Sequence, residues 1–122
     1  MDRPSLYREE RPWGSFEQFT ENQTTTVKII TVMPHEALSL QYHEHRDEFW
    51  RVISGNPLLT VGDNTIEATP GTDYWIERMT PHRITSQESP AVVLEIAFGD
   101  FAENDNVRIS DKYGRHNPGK NR

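Results

Sequence analysis

The residues best suited to chemistry lie in one short stretch, Gln41-Tyr42-His43-Glu44-His45-Arg46-Asp47-Glu48. On a β-strand the side-chain period of two turns positions 41, 43 and 45 to one face. That spacing lets the imidazoles of His43 and His45 bite a single metal ion. Glu48 follows three residues later, behind an Arg-Asp pair suited to a tight corner, and can swing back to the same interior. His82 opens another strand after the Thr80-Pro81 break and supplies a fourth ligand. Nitrogen and oxygen ligands without sulfur suit zinc, manganese, iron, cobalt or nickel. The expectation is one divalent ion per chain on His43, His45, Glu48 and His82, with zinc the first candidate. A His-x-His pair alone is more often surface decoration; Glu48, Gly55 and His82 in order behind it carry the reading.

Such a ligand set must be closed by the fold, and the chain offers the strands to do it. Ser15–Phe19, Thr26–Met33, Leu38–His43, Phe49–Ile53, Leu58–Val61, Thr65–Ala68, Tyr74–Ile76, His82–Thr85 and Ala91–Phe98 all read as short β-elements. Pro34, Gly55, Gly62-Asp63-Asn64 and Pro70-Gly71 punctuate them, the third as a hairpin turn. Eight or nine strands at roughly ten-residue spacing with almost no helical periodicity predict a β-sandwich, jelly roll or barrel. Residues 1–12, polar and carrying two prolines, read as an arm; 13–110 form the barrel, and 111–122 a loose tail. Short turns near Asn104–Asp111 are the only helical candidates, and the acidic stretch Asp100–Asp105 reads as a solvated loop.

Composition narrows the class. The 122 residues allow one domain. Only 34% are hydrophobic, with a mean hydropathy of −0.80, yet 10% are aromatic. A small barrel with a partly polar cavity reconciles these values. The absence of cysteine excludes disulfides, thiolate sites and Cys nucleophiles. A net charge of −6 argues against nucleic acid as the main partner. No apolar run approaches the roughly 18 residues of a membrane span, and the first residues lack an apolar leader, so a cytoplasmic protein is expected.

Other side chains invite roles. Glu95 stands in the apolar run Ala91–Phe98, where a buried carboxylate needs a partner or takes up a proton. It reads as a general base in the cavity or a partner that supports the metal ligands, or else as half of an ion pair with an arginine. Lys28, in the apolar strand 26–33, is the second candidate catalytic group. Arginines outnumber lysines ten to three, and their forked donors suit phosphate. Arg11, Arg46, Arg83 and Arg115, together with Gln41, are the candidate substrate contacts, with Arg108 also considered. Trp13, Trp50 and Trp75 read as core or dimer-contact residues.

The order His43-x-His45, Glu48, Gly55, Gly71 and His82 resembles the two motifs of the cupin superfamily, which implies a double-stranded β-helix. The gap from His45 to Glu48 is one residue shorter than in many cupins, and Glu77-Arg78-Met79 stands where a Pro-x-Gly is favoured. A narrower resemblance covers nearly the whole chain. Arg11-Pro12-Trp13-Gly14, Leu38-Ser39-Leu40-Gln41, His43-x-His45-Arg46-x-Glu48-x-Trp50, Pro81-His82-Arg83, Leu94-Glu95-Ile96 and Tyr113-Gly114-Arg115 stand in order. They resemble the cupin domain of type II mannose-6-phosphate isomerases, often found behind a GDP-mannose pyrophosphorylase domain. Phe49 replaces a histidine common in that family, and these residues include no nucleotidyltransferase sequence. The resemblance implies metal-dependent interconversion of mannose 6-phosphate and fructose 6-phosphate. A cupin with these ligands could instead be an Fe(II) dioxygenase or a non-catalytic sugar-binding module. A homodimer is expected, since a small chain gains by burying a sheet edge.

Overall fold

The computed structural model describes residues 6–115. Eleven strands run through it: β1 (Tyr7–Arg11), β2 (Gly14–Gln18), β3 (Thr25–Val32), β4 (Leu40–Tyr42), β5 (Arg46–Ser54), β6 (Leu58–Val61), β7 (Asn64–Glu67), β8 (Asp73–Ile76), β9 (His82–Thr85), β10 (Ala91–Gly99) and β11 (Val107–Ser110). Two antiparallel sheets form the barrel, one in the order β3-β10-β5-β8 and the other β11-β4-β9-β6-β7. No helix occurs among the described residues, so none is long and apolar enough to cross a membrane.

Alternation fills one half of the interior with hydrocarbon. Val32, Val52, Leu59, Ile76, Ile84 and Val93 are buried together under the indole of Trp50. At this end β5 must leave the sheet beside Pro90. Gly55 makes the exit at φ +85°, and a Cβ there would stand 2.3 Å from the Pro90 carbonyl oxygen. The outward face of the first sheet carries a smaller cluster of Phe49, Ile96 and Phe98, with Phe19 and Trp75 packed on it.

Two strands lie where none was expected. Tyr7–Arg11, inside the presumed arm, pairs in register with β2 as a separate hairpin. Its Tyr-Arg-Glu-Glu-Arg sequence has no apolar face; cross-strand contacts hold it, including Tyr7 against Phe16 and the Arg8–Glu17 pair. Val107–Ser110, read as part of a helical candidate, pairs with β4 as an edge strand. The expected tail is tied down as far as described: Lys112 and Tyr113 both donate to the Glu36 carboxylate, at 2.6 and 2.8 Å. Residues 116–122 lie outside the described residues. Trp13 is exposed and belongs to neither cluster.

Candidate metal centre

The other half of the interior is polar, and β5 dominates it. Its first residues, expected to be a corner, are already strand, with Arg46, Asp47 and Glu48 all buried. Such charges enter a barrel only with partners, and each has them. Asp47 accepts the backbone N–H of Arg78 at 2.7 Å and pairs with its guanidinium. Arg46 donates to Glu48 Oε2 at 3.0 Å and to the Ala102 carbonyl at 3.1 Å, and lies 4.4 Å from the ring of Phe101.

Around Glu48 stand two imidazoles from the opposite sheet. His43 Nε2 is 3.4 Å from Glu48 Oε2, His82 Nε2 is 3.3 Å from Glu48 Oε1, and the two Nε2 atoms are 3.1 Å apart. Both outer nitrogens face carbonyls, His43 Nδ1 at 2.7 Å from Asp105 and His82 Nδ1 at 2.8 Å from Thr80. A carbonyl only accepts, so each Nδ1 carries a hydrogen and each Nε2 points inward, its lone pair available whenever the ring is neutral. Burial pushes His43 down to about 4. Burial also opposes charge on His82, but the adjoining Glu48 carboxylate outweighs it and raises this imidazole. The cluster without metal thus favours a proton on His82, beside Glu48, and disfavours one on His43. Glu48 Oε1, wholly enclosed, accepts no well-formed hydrogen bond.

Two convergent imidazole lone pairs and a carboxylate, with both tautomers fixed by carbonyls, fit a divalent metal. The ligand set differs from expectation at one position. His45 is exposed and outside the cluster, because β4 ends at Tyr42 and the chain bends at 44–45. Asp105 accepts the backbone N–H groups of Glu44 and His45 at 2.8 and 2.9 Å and fixes that bend, so the period of two does not reach His45.

Glu95 is buried on β10, directly across from Trp50 on β5 and Lys28 on β3. Its partner is the Trp50 indole N–H at 3.1 Å, not an arginine. Burial first, and then the neighbouring Glu48 carboxylate, push it up to about 7. Trp50, a core residue as expected, therefore joins the hydrocarbon half to this carboxyl and stands edge-on to His82.

The candidate substrate residues separate. Lys28, Gln41, Arg108 and Arg115 line one pocket of about 310 Å³ with Ser39 and Glu103. Ser39 donates to Gln41 Oε1 at 2.6 Å. Lys28 pairs with Glu103, and Arg115 with Asp111. Arg46 faces the metal cluster. Arg83 and Arg11 join neither group: Arg83 donates to the Leu38 carbonyl, and Arg11, on the outer hairpin, pairs with Glu9 and covers Phe16. The stretch 100–105, expected as a solvated loop, instead holds Lys28, His43 and Arg46 through Glu103, Asp105 and Ala102. No spacing rule links those residues to the strands they grip.

The sequence matches the family described as mannose-6-phosphate isomerase C-terminal over residues 5–111. The xanthan biosynthesis protein XanB of Xanthomonas campestris pv. campestris is 38% identical over 107 residues, 86% of this chain and 23% of that protein. Mannose-1-phosphate guanylyltransferase 2 of Escherichia coli O157:H7 is 35% identical over 108 residues, 84% of this chain and 22% of that protein. The chain therefore spans less than a quarter of the length of these relatives. Among solved structures, a cupin 2 domain-containing protein from Halorhodospira halophila superposes with a TM-score of 0.60 at 22% identity, over 66% of this chain and 56% of that one. The barrel is a cupin double-stranded β-helix.

Proposed function

Because this chain belongs to the mannose-6-phosphate isomerase C-terminal family, we propose that it isomerises a phosphorylated hexose, mannose 6-phosphate to fructose 6-phosphate, with one divalent metal on His43, Glu48 and His82. The observation that carries the reading is the placement of Glu95, a carboxyl buried inside the barrel that accepts the Trp50 indole N–H, with Trp50 itself edge-on to His82. A carboxylate held there can take a proton from one carbon and return it to the next. Zinc or a similar ion would supply the electrophile that polarises the sugar carbonyl.

The chain's own residues supply the rest. Glu95 removes the proton from C2 and delivers it to C1, while the O2 hydroxyl proton passes to O1, the Trp50 N–H keeping the Glu95 carboxylate aimed into the barrel. Lys28, opposite Glu95 in register, favours the ionised base. The pocket of Lys28, Gln41, Arg108 and Arg115 gathers three cations and an amide, and a phosphate there would exchange with the Glu103 and Asp111 contacts of Lys28 and Arg115; its binding energy would position the reacting carbons. Arg46 donates beside the cluster, where charge develops on the sugar oxygens. The reading includes a cytoplasmic homodimer that binds neither nucleic acid nor membrane. The β3 edge of the first sheet, with Val27 and Ile29 exposed, supports self-association.

The test is a coupled assay on protein loaded in turn with zinc, manganese, cobalt, nickel and iron. Turnover of mannose 6-phosphate that a chelator abolishes, with mannose itself a far poorer substrate, is the expected result. No turnover with any metal, while mannose 6-phosphate still binds, would leave a sugar-phosphate binding module instead.

A further inference from the structure

The turn 102–105 is closed by the Asp105 N–H donating to the Ala102 carbonyl at 3.0 Å. From there Asp105 makes three bonds to one short segment, all of them 60 or more residues away in sequence. Its carboxylate accepts the N–H groups of Glu44 and His45, one on each oxygen, and its carbonyl accepts His43 Nδ1–H. The His43 carbonyl is held from the other side by the Met79 N–H at 2.7 Å. His82 has a counterpart of only half this device, the Thr80 carbonyl two residues away.

We propose that Asp105 is the positioning residue of the metal centre: it builds the bend that turns His43 inward and His45 outward, and it sets the His43 tautomer. The inference rests on the metal reading of His43, Glu48 and His82. Without the side chain, Glu44 and His45 lose their N–H acceptors and the bend has no cap, while the backbone carbonyl that orients the ring shifts with the turn. Groups that orient a ligand in this way are worth about 10- to 100-fold in metal affinity.

The experiment measures zinc affinity of the full chain against a chromophoric chelator, with thermal unfolding of the chelator-treated protein alongside. Asp105→Ala is expected to weaken zinc by about 10- to 100-fold. Asp105→Asn keeps one acceptor oxygen and should fall between it and the parent. Asp73→Ala is the control: it breaks the Arg51 ion pair on β8 and should lower the melting temperature while leaving zinc affinity unchanged. Parent-like affinity in Asp105→Ala, or an equal loss in Asp73→Ala, overturns the positioning role. If Asp105→Ala does not fold, parent-like affinity in Asp105→Asn overturns it. A parent protein that binds no zinc at all removes the metal reading itself, and the inference with it.

Discussion

Glutamine at position 95 separates what Glu95 does for the fold from what it does for chemistry. In the folded barrel this carboxyl is pushed up to about 7, against an ordinary 4.5, by burial and by the Glu48 carboxylate; Trp50, Lys28 and His82 only partly offset them. A raised folded-state value means the native protein holds this proton more tightly than the unfolded chain. Its stabilising contribution is complete below pH 4.5 and drains away as the pH rises through 7. At about 1.4 kcal/mol per pH unit, ionised Glu95 costs about 3 kcal/mol at pH 8. Glutamine has nearly the same shape, keeps an acceptor for the Trp50 indole and has no charge to bury. Chelator-treated Glu95→Gln should therefore be more stable than the parent at pH 8 by about 2–3 kcal/mol, and no more stable at pH 4.5. His43, held down to about 4, makes the opposite contribution, present above 6.5 and lost as the pH falls through 4. It does so in both proteins and cancels from the comparison. Urea titrations at the two pH values, followed by tryptophan fluorescence, give the difference. A variant no more stable than the parent at pH 8, or a gain of the same size at both pH values, refutes the electrostatic argument. The same variant should retain its metal and lose turnover, because the amide cannot accept the proton.

Further outcomes concern the ligands and two backbone positions. His82→Ala should cut zinc affinity by more than about 100-fold, since it removes a ligand and not merely a supporting group, whereas His45→Ala should leave metal content unchanged by elemental analysis. Gly55→Ala drives a Cβ to 2.3 Å from the Pro90 carbonyl oxygen at φ +85°. It should cost at least about 2 kcal/mol, roughly a 10 °C fall in melting temperature. Met79, exposed and at φ +69°, stands where a glycine is relieved of strain of about 1–2 kcal/mol. Met79→Gly should raise stability by about 0.5–1 kcal/mol after the greater entropy of its unfolded chain is counted, read as a higher urea midpoint.

The strands most legible in the sequence are short runs rich in β-branched and other apolar residues. Thr26–Met33, Leu58–Val61 and Ala91–Phe98 lie within a residue of β3, β6 and β10 because such side chains suit a pleated strand. The hairpin turn at Gly62-Asp63 is equally plain, joining Val61 to Asn64 across two residues with Gly62 at φ +62°. Strands held by other forces leave no such trace. Polar β1 relies on its cross-strand contacts with β2, and β11 relies on β4. The start of β5 reads as a corner because Arg46 and Asp47 look like solvent residues, whereas in the barrel their charges are met by Glu48, by the Ala102 carbonyl and by Arg78.

The same distinction runs through the site. His43, Glu48 and His82 are visible because metal chemistry needs those residue types and the strand order carries them to one interior. His45 reads as a fourth because periodicity assumes that the strand continues, and the bond that ends it comes from Asp105, some 60 positions away in a stretch with no pattern of its own. Glu95 shows itself as a charge in an apolar run, but its partner could only be guessed; the cross-strand register selects Trp50 and excludes an arginine. Arg46 and Arg83 each follow a histidine and look alike in sequence. One turns inward because β5 has already begun at residue 46, and the other outward because β9 begins at His82. Local spacing thus names the groups suited to chemistry, while the loops between strands, written in no periodicity, decide which of them face the interior.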